Sequence, residues 1–352
     1  MNYLFTVLFT CLIIAVNARK EVYDDENLSD YHSYSVNCDE FFHGKAWPMP
    51  VGVTNQGLVK LCQNQKRTSN VTVFATLFST KERIPVYTAN RVVLSPDGHE
   101  YPRPESYLWT RVSLTLCDID VLPTKPIPSM IGHIAKHLRE TCADKQALSE
   151  DYLDNDLDLD RGHLSPNSIN SQNLVKQDGT FTLTNAAPQF SKFNSFSWRE
   201  FECVTQQTIL ELVPNEAVYV MTGTYGQAYD ESHNPLFIQG NESNPVKVPG
   251  FYWKAVCYPG NSQTGMAPWG YAIIQQNVNI VTKASYTDYL LLKDFAAKYF
   301  IDPPFGEDCM NASFGTFQKY LNEETYDQFL SDHCNAYNVY QKQPTINRMD
   351  LR

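Results

Sequence analysis

The chain has 352 residues, with 28 Lys and Arg, 39 Asp and Glu, and a formal net charge of −11 at pH 7. A chain of this length can bury a substantial core, as one large domain or as two. The negative charge excludes a surface that is basic all over, and it weighs against tight, non-specific binding of polyanions. It is compatible with an enzyme that has only a local basic groove.

Residues 1–18 predict a cleaved signal peptide. Residues 4–16 are almost all apolar, and Val16, Asn17 and Ala18 offer the small residues that a signal peptidase reads. The apolar stretch is too short to span a bilayer, and polar sequence follows it at once. We therefore expect the mature protein to start near Arg19.

The mature chain predicts one domain behind a short acidic segment. Residues 19–37 are acidic, polar and Tyr-rich, which indicates a flexible N-terminus. Residues 38–352 contain no clear linker, so we expect a single domain with its core at about 70–300. No later segment is long and apolar enough to cross a membrane, and no membrane partner is expected.

The cysteines predict disulfides rather than a zinc site. Eight remain after the signal peptide, an even number without any Cys-x-x-Cys pair. Their pairing stays open, although proximity favours Cys38 with Cys62 and Cys117 with Cys142. The eight are Cys38, Cys62, Cys117, Cys142, Cys203, Cys257, Cys309 and Cys334.

Asn-x-Ser/Thr sequons agree with a secreted, extracellular protein. Four are present, at Asn27, Asn70, Asn241 and Asn311. In the secretory pathway such asparagines are glycan acceptors on surface loops. Because sequons also arise by chance, we expect some of the four to be used rather than all.

Apolar periodicity predicts a hairpin and then a helix in the first half of the chain. Residues 71–78 and 84–94 are β-branched and aromatic runs separated by a short polar stretch. Residues 130–142 repeat apolar side chains at helical spacing. Five Asp residues within 151–160 indicate an exposed loop or turn.

The second half mixes strands and helices without a regular β-α-β alternation, which indicates an α+β fold. Residues 197–213 predict a helix, with Ser195 or Ser197 as its N-cap and Pro214 ending it. The other predicted strands are 181–185, 217–222, 250–257 and 271–276, and the other predicted helices are 290–300 and one or two within 314–330.

Residues 160–202 carry the candidate chemistry. Phosphodiester hydrolysis needs an activated water, a charge sink for the phosphoryl oxygens and help for the leaving oxygen. His163 can act as the base, because imidazole titrates near neutral pH. Asn194 and Glu202 offer the hard oxygen ligands that Mg²⁺ prefers. Eight α-helical steps would separate them by about 80° around the helix.

These residues stand in an ordered set of motifs. The set consists of Asp160-Arg161-Gly162-His163, then Asn185-x-x-Pro188-Gln189, then Asn194-x-x-x-Trp198-x-x-x-Glu202, with later runs at 218–223 and 248–254. In this order the motifs resemble the DNA/RNA non-specific endonuclease family, which includes endonuclease G. The resemblance covers roughly residues 70–300.

The resemblance implies a ββα-metal nuclease fold, a central antiparallel sheet flanked by helices. It implies that His163 is the general base and that Asn194 is a direct metal ligand. Glu202 would hold metal-bound waters, and Asn185 would support the histidine region. The expected ion is Mg²⁺, with Mn²⁺ as the alternative. The substrates would be DNA and RNA, cleaved to 5′-phosphate products.

The resemblance also implies arginines at the phosphate. Arg161 would reach the phosphate or brace the site. An upstream arginine would face the phosphate, for which Arg103 is our choice and Arg91 the alternative. Some family members carry another arginine one turn after the metal-site glutamate, where this chain has Gln206. Lys192 is a candidate to compensate for that charge.

Gln206 and the acidic surface keep a second hypothesis open. A nucleic-acid-binding protein on the same fold, with little or no turnover, would also retain this motif order. A third hypothesis is a secreted, disulfide-rich interaction protein that kept the fold. Intact His163, Asn194 and Glu202 favour the nuclease.

Overall fold

A computed structural model describes residues 38–64, 72–103, 142–148, 151–152, 155–238, 244–279 and 287–315, together with 328, 332 and 334. The strands in chain order are β1 (Leu58–Asn64), β2 (Thr72–Ser79), β3 (Ile84–Val92), β4 (Leu159–His163), β5 (Ala186–Phe190), β6 (Val218–Tyr225), β7 (Phe237–Ile238), β8 (Val246–Lys247), β9 (Phe251–Tyr258), β10 (Trp269–Gln276) and β11 (Thr287–Leu290). The α-helices of four or more residues are α1 (Leu174–Gly179), α2 (Arg199–Leu212), α3 (Leu292–Tyr299) and α4 (Glu307–Met310).

A seven-stranded sheet in the order β1-β2-β3-β6-β9-β10-β11 dominates the fold. All neighbouring strands are antiparallel. The hairpin predicted from residues 71–78 and 84–94 is β2 and β3, paired from Ala75↔Ala89 to Ser79↔Ile84. The α+β fold with a large antiparallel sheet is therefore confirmed.

Both faces of the sheet are buried. Side chains alternate between the faces of a strand, so in β9 Tyr252 and Val256 join one core cluster while Trp253, Ala255 and Cys257 join the other. The first cluster contains β4, β5 and α2 side chains, and the second contains α3 side chains. The sheet thus separates β4, β5 and α2 from α3.

The ββα unit consists of β4, β5 and the helical stretch after them. The antiparallel β4–β5 pair runs from Leu159↔Phe190 to His163↔Ala186. A short α-helical turn (Ser191–Phe193), a π turn (Asn194–Trp198) and α2 then follow one another directly. Ser195 and Ser197 lie inside this helical stretch, so the prediction that one of them caps it is wrong.

Two predicted elements differ because of long-range contacts. The predicted strand at 181–185 is wrong: Leu183–Asn185 form a 3₁₀ turn, and the strand begins at Ala186. The acidic segment is not wholly exposed either, since Asp151 is 5% exposed and forms an ion pair of 2.7 Å with buried Arg83. That partner, 68 residues away in sequence, offsets the cost of burying the carboxylate.

The disulfides confirm the cysteine prediction for the described residues. Cys38 pairs with Cys62, as proximity predicts, whereas Cys203 pairs with Cys334 and Cys257 with Cys309. Cys142 is also disulfide-bonded, and Cys117, its expected partner, lies outside the described residues.

Several predictions concern residues outside the described ranges. These are the signal peptide, the segment 19–37, the helix at 130–142, nearly all of 314–330, and the sequons at Asn27, Asn70 and Asn241. Asn311 is described, and it is exposed at the end of α4. In the described part of the chain, no helix combines the length and the apolar character needed to cross a membrane.

Candidate active site

His163 is the last residue of β4, and its backbone is held closely against β5. A Cβ atom at Gly162 would lie 2.6 Å from the Cβ of Gln189, which a side-chain rotation cannot move away, so only glycine fits the position before the histidine. Leu164 N donates to Asn185 O at 3.0 Å just after the strand. The Gly162-His163 pair is therefore fixed by backbone packing as well as by pairing.

Asn185 fixes the chain that follows His163. It is fully buried; its Oδ1 accepts from Ser165 N at 2.7 Å, and its Nδ2 donates to Ser165 O and Thr180 O at 2.9 and 2.8 Å. Ser165 Oγ donates in turn to Asn90 Oδ1 at 2.7 Å, which ties the turn to β3. These bonds bend residues 183–185 into a turn, which explains why no strand forms there.

The imidazole of His163 lies in an environment that keeps it neutral. Burial, followed by the positive charges of Arg103 and Arg161, lowers the pKa of His163 from 6.5 to about 3. The edge of one ring meets the face of the other between His163 and Phe181, at a centroid distance of 4.8 Å. At physiological pH the ring is therefore unprotonated, which is the form that a general base requires.

This environment predicts a loss of stability in acid. Below pH 6.5 the unfolded chain protonates His163 while the folded chain does not, so the free energy of unfolding falls as pH falls from 6.5 towards 3. The slope is at most about 1.4 kcal/mol per pH unit. Urea unfolding at pH 7.5 and pH 5.0 should therefore show about 1–2 kcal/mol less acid-induced loss in His163→Asn than in the wild type. An equal loss in both proteins would contradict a neutral imidazole in the folded chain.

The π turn brings Asn194 towards the face of Glu202. A π turn contains more residues per turn than an α turn, so it reduces the angle of about 80° that eight α-helical steps would leave. Such turns recur at functional sites. Both side chains are half-buried.

Asp160 orients Asn194. Nδ2 of Asn194 donates to Oδ2 of Asp160 at 2.8 Å, and Ser191 Oγ donates to the other carboxylate oxygen at 2.9 Å. Because an amide is planar, the bond from Nδ2 directs Oδ1 of Asn194 away from the carboxylate. Asp160 thus joins β4, three residues before His163, to the helical stretch that carries Asn194.

Glu202 lies among positive charges. Burial raises its pKa, whereas the charges of Lys254, Arg103 and Arg199 lower it. Lys254 is fully buried on β9, with Nζ 3.2 Å from Thr222 Oγ1 and 5.5 Å from the centre of the Trp198 ring. Burial lowers the pKa of Lys254 to about 8, against the charge of Glu202, which raises it.

Arg103 is the arginine whose charge influences both His163 and Glu202. Its positive charge lowers the pKa of His163 and the pKa of Glu202. Its guanidinium lies 5.7 Å from the centre of the Phe181 ring. The positive charge of Arg161 also lowers the pKa of His163. The charge of Arg91, on β3, instead lowers the pKa of Lys176 of α1. Of the two upstream candidates, Arg103 is therefore the one whose charge reaches His163.

The hydrogen-bond partner of Gln206 lies outside the sequence motifs. Nε2 of Gln206 donates to Oε1 of Glu100 at 2.7 Å, and Gln206 is buried. Lys192, the candidate for compensating charge, is exposed in the first helical turn.

Sequence reasoning missed four residues around this site. Asp160 begins the Asp-Arg-Gly-His motif and Arg199 precedes Glu202 by three positions, so helical spacing could have found Arg199. Lys254 ends the 248–254 run, but its burial depends on how β9 pairs. Glu100 has no local signal, because its contact with Gln206 spans 106 residues.

The family comparison agrees with this arrangement. Residues 136–296 match the sequence model of the DNA/RNA non-specific endonuclease family. Over this segment the chain is similar to that family, in line with the order of the motifs. His163, Asn194 and Glu202 lie inside the matched segment, and Arg103 lies before it.

Two curated relatives share a similar segment. The endonuclease domain-containing 1 protein of Homo sapiens is 32% identical over 222 residues, which are 62% of this chain and 38% of that protein. The Mus musculus protein of the same description is 29% identical over the same shares. The chain therefore spans well under half the length of these relatives. A chain in the crystal structure of the EndoG/EndoGI complex matches with a TM-score of 0.45 and 15% identity, over 71% of this chain and 90% of that chain.

Proposed function

We propose that the chain is a secreted, metal-dependent endonuclease that hydrolyses DNA and RNA to 5′-phosphate products. The observation that carries the proposal is the placement of Arg103 over the Phe181 ring that also meets His163, with a charge that lowers the pKa of both His163 and Glu202. One phosphate beside Arg103 would therefore have a neutral imidazole on one side and the metal-side carboxylate on the other.

In the proposed reaction His163 accepts a proton from the attacking water. The low pKa keeps the ring neutral before the reaction, and Asn185 holds the backbone behind it. Arg103 and Arg161 would bind the phosphate and reduce the charge that develops on its oxygens. Gly162 permits the close approach of β4 and β5 on which this placement depends.

The donor set on the helical stretch fits a hard divalent cation. Asn194 offers an amide oxygen oriented by Asp160, and Glu202 offers a carboxylate. Mg²⁺ commonly takes few protein oxygens and keeps several waters, so Asn194 would bind it directly and Glu202 through water. When bound, such an ion stabilises charge on the phosphoryl and leaving oxygens.

Secretion is part of the proposal. It is supported by the predicted signal peptide and by three described disulfides, which persist in oxidising compartments. Exposed Asn311 is available for glycosylation in that setting.

A nucleic-acid-binding protein with little turnover is the second candidate. It is favoured by neutral Gln206, where some family members have arginine, and by the net charge of −11. The site around His163 favours the enzyme.

Metal removal separates the two candidates. Purified protein should cleave plasmid DNA and RNA with Mg²⁺, and EDTA should abolish the cleavage of both because the hydrolysis is metal-dependent. Adding excess Mg²⁺ or Mn²⁺ after EDTA should restore it. No cleavage with either ion, together with a gel shift that weakens as salt rises, would favour the binding protein.

A further inference from the structure

A segment that we call the arginine strap, residues 95–103, connects the end of β3 to Arg103. Its first residue is held by Gln172: Ser95 N donates to Oε1 of Gln172 at 2.9 Å, and Nε2 of Gln172 donates to Ser95 O at 2.8 Å. The side chain of Gln172 also packs on Gly98, where a Cβ would approach its Oε1 to 2.4 Å. The start of the strap is therefore fixed to the region of α1.

The strap is held again shortly before Arg103. Tyr101 N donates to Ser171 O at 2.9 Å, and Nε2 of Gln177 donates to Tyr101 O at 3.0 Å. These bonds involve the backbone of the strap, so they determine its path. They connect it to the segment of the chain that follows β4 and His163, to which Ser171 and Gln177 belong.

One hydrogen bond connects the arginine strap to α2, the helix that carries Glu202. Nε2 of Gln206 donates to Oε1 of Glu100 at 2.7 Å. Gln206 lies on α2 one turn after Glu202 and is 7% exposed. A hydrogen bond to an ionised acceptor is stronger than one between neutral groups, and burial of the donor limits competition from water.

We propose that Gln206 is a positioning residue: through Glu100 it holds the arginine strap, and so Arg103, at a set place relative to Glu202. The inference rests on the proposed function and names how substrate phosphate is placed in that site. Gln206 then does not stand for a lost charge. It acts on substrate binding through a partner three residues before Arg103.

A donor–acceptor exchange tests the proposal. Gln206→Glu sets two carboxylates against each other, which should release the strap and raise KM for nucleic acid about tenfold, while kcat and the Mg²⁺ requirement change little. The double variant Glu100→Gln with Gln206→Glu restores one amide-to-carboxylate bond in the reverse direction. Its KM should return to within about threefold of the wild type. Gln207→Glu, the same change at the next helical position, is the matched control.

Two results would overturn the proposal. A double variant as impaired as Gln206→Glu would mean that residue 206 acts without Glu100. A full additional effect of Gln206→Glu in an Arg103→Gln background would mean that it acts without Arg103.

Hydrogen exchange separates this inference from the proposed function. Amides of residues 95–103 should exchange faster in Gln206→Glu, and should regain protection in the double variant. If the wild type cleaves no nucleic acid, the proposed function fails, and the exchange result then decides whether the bond between Gln206 and Glu100 positions the strap. Unchanged exchange in Gln206→Glu overturns that positioning.

Discussion

Replacing His163 with Asn is expected to lower the cleavage of both DNA and RNA by about 10²–10⁴-fold, the usual contribution of a general base. Asparagine keeps a polar side chain of moderate size at the end of β4 but cannot accept the proton of the attacking water. The effect should fall on kcat rather than on KM, because Arg103 and Arg161 remain. Initial rates on plasmid and on a structured RNA at saturating Mg²⁺ measure it.

His233→Asn is the control for this variant. His233 is exposed and has a φ of 64°, a backbone conformation that asparagine tolerates, so cleavage should stay at the wild-type rate. Circular dichroism of both variants checks that the fold is kept. Cleavage by His163→Asn within a few fold of the wild type would remove His163 as the base.

Replacing Asn194 with Ala is expected to weaken metal binding by at least about tenfold and to reduce cleavage with it. The substitution removes the amide oxygen that Asp160 orients. Titration with Mn²⁺, followed by electron paramagnetic resonance or by calorimetry, measures the affinity without reference to turnover. Raising the metal concentration should recover part of the activity.

Ser195→Ala provides the comparison on the same helical turn. Ser195 is exposed next to Asn194, so its replacement by alanine should leave Mn²⁺ affinity unchanged. Wild-type Mn²⁺ affinity in Asn194→Ala would place the ion on other ligands.

Local patterns predicted most of the sheet and the helix that carries the site. The hairpin of β2 and β3 and the strand β9 are read from runs of β-branched and aromatic residues, which act over a few positions. The turn at 183–185 could not be read in this way, because Asn185 forms it through bonds to Ser165 and Thr180. A side chain that bonds across 20 residues leaves no periodic signal.

The charged and polar residues of the site also divide into those that the motifs identify and those that only the fold brings together. The motifs identified His163 and Asn194 as candidates, but they gave no role to Asp160, whose two bonds span 31 and 34 residues. Lys254 enters the site only because β9 pairs with β6 and directs the side chain towards Trp198. The motifs alone indicate a missing charge at Gln206, because its partner Glu100 is 106 residues away in sequence.

The two disulfides with the largest sequence separations, 131 and 52 residues, would hold the chain together after proteolytic cleavage. Residues 262–265 form an exposed turn, and this turn lies between Cys203 and Cys334 and also between Cys257 and Cys309. A protease that cleaves there produces two pieces joined by two covalent links, one of them on the residue beside Glu202. The halves of a nicked molecule would therefore stay covalently joined until the disulfides are reduced.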